Sequence, residues 1–248
     1  MPYSPFKEKS TLHRERPWVF VYGALLAGTA GYVNAVLLGI YHVPVSHMSG
    51  AVARLAIDLS TCNRQDLEGA MAIFFAFLCG AILSGLVIGG TKVQPGRRYG
   101  VAMMFEGALL ALATFLLVTG RSGGIATAAM ACGLQNAMAS SYCGLILRTT
   151  HVTGIVTDIG VMLGHWLRYR RTEFWKLVLL LSILCGFFGG GLLGAACHAR
   201  VGAIALLLVA AGCTLAGAFY YAWRRRHLNE LPLERWGYFP PQEADSLK

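Results

Sequence analysis

Two histidines stand in matching four-residue motifs, His47-Met48-Ser49-Gly50 and His151-Val152-Thr153-Gly154. Histidine titrates near neutrality, so either could carry a proton. The glycine and the small hydroxyl residues suit the start of a helix. There Ser46, Ser49, Thr150 and Thr153 could cap free backbone N–H groups. A helix start also carries partial positive charge, which favours anions and carbonyl or carboxylate oxygens. As a metal site the pair is weak, because no glutamate or third histidine stands at ligand spacing. The bland reading of both motifs is a packed helix start.

A charge follows each histidine at the same distance: Arg54 in one case, Asp158 in the other. An unpaired charge at the centre of a bilayer costs at least ~2.5–3.5 kcal/mol. Pairing Arg54 with Asp158 would offset that cost. Alternatively, Arg54 snorkels to the outer interface and Asp158 lies in cytoplasmic water. Glu106 sits in the apolar stretch Met103-Met104-Phe105-Glu106-Gly107. It is the candidate for proton coupling, or else a neutral carboxyl bonded to a neighbouring helix. Asn34 and Asn136 either line the same cavity or join helices.

These residues recur in order. Gly31-Tyr32-Val33-Asn34-Ala35 precedes the first histidine motif, and Gly133-Leu134-Gln135-Asn136-Ala137 precedes the second. The asparagines are 102 residues apart and the histidines 104. Leu78-Cys79-Gly80 recurs as Leu184-Cys185-Gly186, 106 residues on. Three ordered matches imply a duplication of about half the chain. In a membrane protein that points to a pseudo-symmetric site between the halves.

The positioning elements must be membrane helices. Only 13% of the 248 residues are charged and 56% are hydrophobic, against about 25% charged in soluble domains. Charge-poor runs at 17–41, 69–90, 99–120, 123–147, 177–197 and 201–223 approach or exceed the ~20 residues that cross a hydrocarbon core. The first run is too long for a signal peptide, and its Gly31 and Asn34 belong to the repeat. Gly28 with Gly31, Gly80 with Ser84, and Gly186 with Gly190 read as close-packing stripes. Seven cysteines without a Cys-x-x-Cys pair read as small buried residues.

Between the long runs lie two short helical patterns, 46–60 and 150–165. They either span or dip in and return. Six spans with two dipping helices put Arg14/Arg16, Lys92/Arg97/Arg98, Arg168/Arg170/Arg171 and Arg224/Arg225/Arg226 on one side. Eight spans would move the Lys92 cluster outside, against the positive-inside bias. The first arrangement is favoured, and its three spans per half make the repeats inverted. The net charge of +9 therefore reports membrane orientation and contact with anionic lipid, not nucleic acid.

The Gly31–Ala35 stretch, His47–Gly50, Gly133–Ala137 and Thr150–Gly154 with Thr157-Asp158 together resemble the YoaK family of bacterial membrane proteins. The resemblance covers about residues 17–225. It departs at Asn34, where the family often has an acid, and at Ala51, where it often has an asparagine. What it implies is a six-span protein of the bacterial membrane, with no assigned catalytic residues.

The expectation is thus an all-α polytopic membrane protein: six transmembrane helices, two short re-entrant or broken helices and two inverted repeats of about 100 residues. Residues 1–16 form a basic cytoplasmic tail, 17–120 and 121–224 the repeats, and 225–248 a cytoplasmic C-tail. The expected location is the bacterial cytoplasmic membrane. The leading function is a transporter or channel for a small polar or anionic solute. Its site residues are Asn34, His47, Ser49, Gly50, Arg54, Asn136, His151, Thr153, Gly154 and Asp158. The alternative is a non-transporting accessory, sensor or scaffold protein. No cofactor, metal or nucleic acid is expected, and a homo-oligomer is left open. No Gly-x-Ser-x-Gly, His-Glu-x-x-His or paired catalytic carboxylates suggest an enzyme.

Overall fold

A computed structural model describes residues 18–41, 45–62, 64–89, 96–141, 150–170 and 172–226. Both tails, Lys92 and Gln94 lie outside the described residues. Within them every regular element is helical. In chain order these are α1 (Trp18–Tyr41), α2 (Met48–Ser60), α3 (Arg64–Ile88), α4 (Arg98–Val118), α5 (Gly124–Ser140), α6 (Val152–Tyr169), α7 (Phe174–Val201) and α8 (Leu206–Arg226). A 3-10 turn, Gly202–Ala205, separates the last two.

The apolar runs of the sequence become the long helices, and the two short patterns become α2 and α6. Among the described residues, four stretches are long and apolar enough to cross a bilayer: Phe20–Tyr41, Asp66–Ile88, Arg98–Val118 and Phe174–Arg226. The last holds both α7 and α8. Gly202, at a φ of +60°, opens the turn between them, where a side chain would be strained. α5 has 17 residues, which at ~1.5 Å per residue gives about 25 Å.

Two buried clusters fix the direction of each helix. The first gathers Val36 and Leu37 of α1, Ile73 of α3, Ala113 of α4, Ala128 of α5 and Leu206 of α8, with Cys197 of α7 beside it. The second gathers Leu26 of α1, Ile88 of α3, Tyr99 of α4, Ala139 of α5 and Leu179 of α7, with Tyr220 of α8 beside it. Each long helix therefore runs from one cluster to the other, and successive long helices alternate in direction. The short helices do not make the passage. Both neighbours of α2 meet it at the first end, and both neighbours of α6 at the second.

The most extensive helix pairs are α1 with α7, α4 with α8, and α3 with α5. Exchanging the first four helices with the last four leaves this pattern unchanged. α1 and α3 each leave their own half to pack in parallel on a helix of the other. The seams are made by backbone. A Cβ on Gly31 would run into the carbonyl of Phe187, and one on Gly133 into that of Phe77. Likewise Gly190 lies on the carbonyl of Gly28, and Gly80 on that of Met130.

Those contacts relate the helices by spacings of their own. They match α1 to α5 with a spacing of 102 residues, as the asparagines suggested. They match α3 to α7 with a spacing of 110, because Phe77 corresponds to Phe187 and Gly80 to Gly190. The Leu-Cys-Gly match at 106 is one helical turn out of step. On a glycine-rich helix a shift of four residues brings the same small face round again.

Candidate functional site

The asparagines and hydroxyls of the two matching stretches come together twice. The Ser46 hydroxyl donates to Asn34 Oδ1 at 2.9 Å, and the Thr150 hydroxyl donates to Asn136 Oδ1 at 2.9 Å. Asn34, Ser46 and Thr150 are buried. In each half, then, a hydroxyl residue just ahead of the short helix touches the preceding long helix below its end. Asn34 lies seven residues before Tyr41, about 10 Å down the helix axis. Asn136 lies four residues before Ser140, about 6 Å down.

The short helices begin at those points. His47 is the N-cap of α2, and its carbonyl accepts from the N–H groups of Gly50 (3.0 Å) and Ala51 (3.2 Å). Its half-buried ring meets Phe187 of α7 edge-on, with centroids 6.2 Å apart. His151 is the N-cap of α6, and its carbonyl accepts from Ile155 N–H at 3.1 Å. The His151 ring lies over Gly154, where a Cβ would strike it. Neither helix receives a side-chain cap from its N-cap residue. The capping expected of Ser46 and Thr150 is replaced by their bonds to asparagine. Ser49, Gly50 and Thr153 are exposed.

The charges do not meet across the halves. Arg54 reaches Asp58 Oδ2 at 3.7 Å and Asp66 Oδ2 at 3.6 Å, tying α2 to the start of α3. Asp58 is buried. Asp158 is exposed on α6. It lines a cavity of about 520 Å³ with His165, Thr172, Glu173 and Lys176. A second cavity, about 650 Å³, is almost wholly apolar and opens between α1, α7 and α8 over Gly28, Gly186 and Gly190.

Glu106 is fully buried on α4. Cys213 of α8 and Cys132 of α5 lie beside its carboxyl. Its Oε2 has no hydrogen-bond partner.

A model of the family described as proteins of unknown function, DUF1275, matches residues 22–219. The chain belongs to that family. The match covers both asparagine anchors, both histidine motifs and Glu106. No curated protein and no solved structure matches the chain. The apolar helices and the family together describe a helical membrane protein of the DUF1275 group.

Sequence reasoning missed several polar partners in this DUF1275 chain. Gln135 Nε2 donates to the Leu26 carbonyl at 3.1 Å and also bonds Thr29 Oγ1. Its place beside Asn136 was the available signal. The Tyr32 hydroxyl donates to the Ala205 carbonyl at 2.9 Å, and no sequence pattern announces that partner. Asp58 was signalled by its spacing of four from Arg54, which sets two side chains on one helix face.

Proposed function

We propose that this protein is a six-span transporter or channel of the bacterial cytoplasmic membrane, passing a small polar or anionic solute between two inverted halves. Its finer kinship is with the YoaK proteins. One observation carries the reading: two equivalent chain segments return to Asn34 and Asn136 and start a new helix there. Non-helical backbone at membrane depth is tolerated where it is buried in protein or lines a wet cavity. Helix starts at such depth present free N–H groups and partial positive charge, which is how broken-helix transporters hold anionic groups.

The alternating helix directions support the inverted arrangement. α2 starts within the first end of the bundle and α6 within the second. Arg97, Arg98, Arg168, Arg170 and the Arg224–Arg226 run belong to the second end, which the positive-inside bias makes cytoplasmic. His47 with Phe187 then forms part of the outer approach to the site, and His151 with Gly154 part of the inner one. Arg54 tethers α2 rather than binding solute, and Asp158 lies toward the cytoplasmic water. The reading includes no catalytic step, metal or cofactor.

The close backbone contact of α1 with α7 favours a second reading, a non-transporting accessory or scaffold protein. A screen separates the two. Purified full-length protein is heated with small anions, amino acids and polar metabolites, and any stabilising solute is tested for uptake into proteoliposomes. The transport reading expects stabilisation by at least one solute and uptake of it. No stabilisation and no uptake across the panel leaves the accessory reading.

A further inference from the structure

The Glu106 carboxyl lies where a structural hydrogen bond is a poor account of it. α4 and α8 are counterparts in the two halves, so their seam maps onto itself when the halves are exchanged. Any pseudo-twofold axis passes through that seam. Gly107 lets it close: a Cβ there would meet the Thr214 hydroxyl and the Ala210 carbonyl. Glu106 stands one residue away, facing Cys213 across the seam and Cys132 on α5.

Among the described residues no positive charge is paired with the carboxyl. The titratable groups set against it from α8 and α5 are the two thiols. The stretch of α3 from Gly69 to Ile88 and the turn Gly202–Ala205 contain no charged residue. Among the described residues Glu106 makes no ion pair. An ionised carboxylate there would be neither paired nor hydrated, an arrangement that buried charges avoid. Its Oε2 is buried and has no hydrogen-bond partner among the described residues.

The geometry points to Glu106 as an exchangeable proton-binding site at the seam between the halves. The carboxyl holds a proton while the seam is dry and releases it to water when the seam opens. The reaction is simple dissociation and recombination, carboxylic acid to carboxylate plus a proton on water. The role of this exchange in driving solute movement rests on the transport reading. The proton site itself does not.

The test uses dicyclohexylcarbodiimide on the full-length protein in membrane vesicles. This apolar reagent adds to a protonated carboxyl and leaves a stable acylurea, located by peptide mass spectrometry. Expected is labelling of Glu106 that falls with rising pH, roughly tenfold per pH unit once the carboxyl ionises. A water-soluble carbodiimide should label exposed Asp158 and Glu173 first. Labelling of Glu106 that is independent of pH marks a sealed structural acid and overturns the proposal, as does no labelling at any pH.

Two variants give a second measurement. Glu106→Gln keeps the shape and hydrogen-bonding capacity, while Glu106→Asp keeps the acid. Thermal stability should vary with pH in the wild type and in Glu106→Asp and lose that component in Glu106→Gln. An unchanged pH profile in Glu106→Gln overturns the proposal. These measurements need no solute. A pH-dependent label with a negative solute screen therefore removes the transport reading and leaves the proton site standing.

Discussion

Cutting the anchor of α2 tests the most specific feature of the fold. Asn34 is 8% exposed and Ser46 4%, so Asn34→Ala leaves the Ser46 hydroxyl with no partner and little access to water. Stranding a buried polar group costs about 1–3 kcal/mol. Within membranes the coupling between such partners is smaller, averaging roughly 0.6 and reaching about 1.7 kcal/mol. We therefore expect Asn34→Ala and Ser46→Ala to be non-additive, with a coupling near the upper part of that membrane range. The Asn136–Thr150 pair should couple more weakly, because Asn136 is only partly buried. The assay is a double-mutant cycle on reversible unfolding in mixed detergent. A second readout is the reactivity of a His47→Cys probe in a background stripped of native cysteines. Releasing the anchor should let the start of α2 move and raise the rate of thiol labelling. Zero coupling, or a probe indifferent to Asn34→Ala, would show that the bond does not hold the helix start in place.

Orientation is checked with introduced cysteines and a membrane-impermeant thiol reagent on intact cells: position 123 should react, while position 94 and the C-tail should be shielded. Gly80→Val and Gly186→Val drive side chains into the carbonyls of Met130 and Ala24. Overpacking of that kind costs typically 1–3 kcal/mol or more, so both should lower folded yield in size-exclusion profiles. Gly50→Val and Gly154→Val, at exposed and half-exposed helix starts, should leave yield largely intact and remove solute-induced stabilisation. If all four behave alike, the motif glycines are packing residues. Arg54→Gln should couple with Asp66→Asn and be additive with Asp158→Asn, because Arg54 bonds within its own half; coupling with Asp158 would contradict the observed pairing.

The helices were legible because length and apolarity set them. The run at 17–41 became Trp18–Tyr41, that at 99–120 became Arg98–Val118, and the short patterns became Met48–Ser60 and Val152–Tyr169. The two asparagine stretches were legible as matching sequences but the partners of the asparagines were not, since nothing local ties Asn34 to Ser46. Of the two readings open for the charges, the pairing of Arg54 with Asp158 is not the one seen, for a physical reason. Repeat equivalence suggested Arg54 with Asp158, whereas proximity along one helix face already gave Arg54 an acid four residues away. The slip from 106 to 110 has a similar origin. Small residues at helical spacing fit a neighbour equally well one turn along, so identity of letters could not choose the register that backbone contact chose.

The exchange of helices between halves has a consequence for assembly, and it yields the last prediction. α1 lays Gly31 on α7 of the other half, and α5 lays Gly133 on α3 of the other half. Neither half therefore has a partner of its own for its glycine face. The halves are joined through Thr119–Gly123, all of it exposed, with Gly120 and Gly123 at positive φ. This joint makes few demands on the fold, and exposed loop tips tolerate interruption. Cutting it should remove a covalent link while sparing every helix seam. We expect residues 1–121 and 122–248, expressed separately, to be unstable in the membrane and degraded. Expressed together, they should co-purify and recover much of the folded yield of the whole chain. Fragments stable alone would mean that each half packs within itself. Fragments that fail even together would mean that the joint, and not the exchanged seams, sets how the halves meet. Either result would contradict the pairing of α1 with α7 and of α3 with α5 as the contacts that hold the protein together.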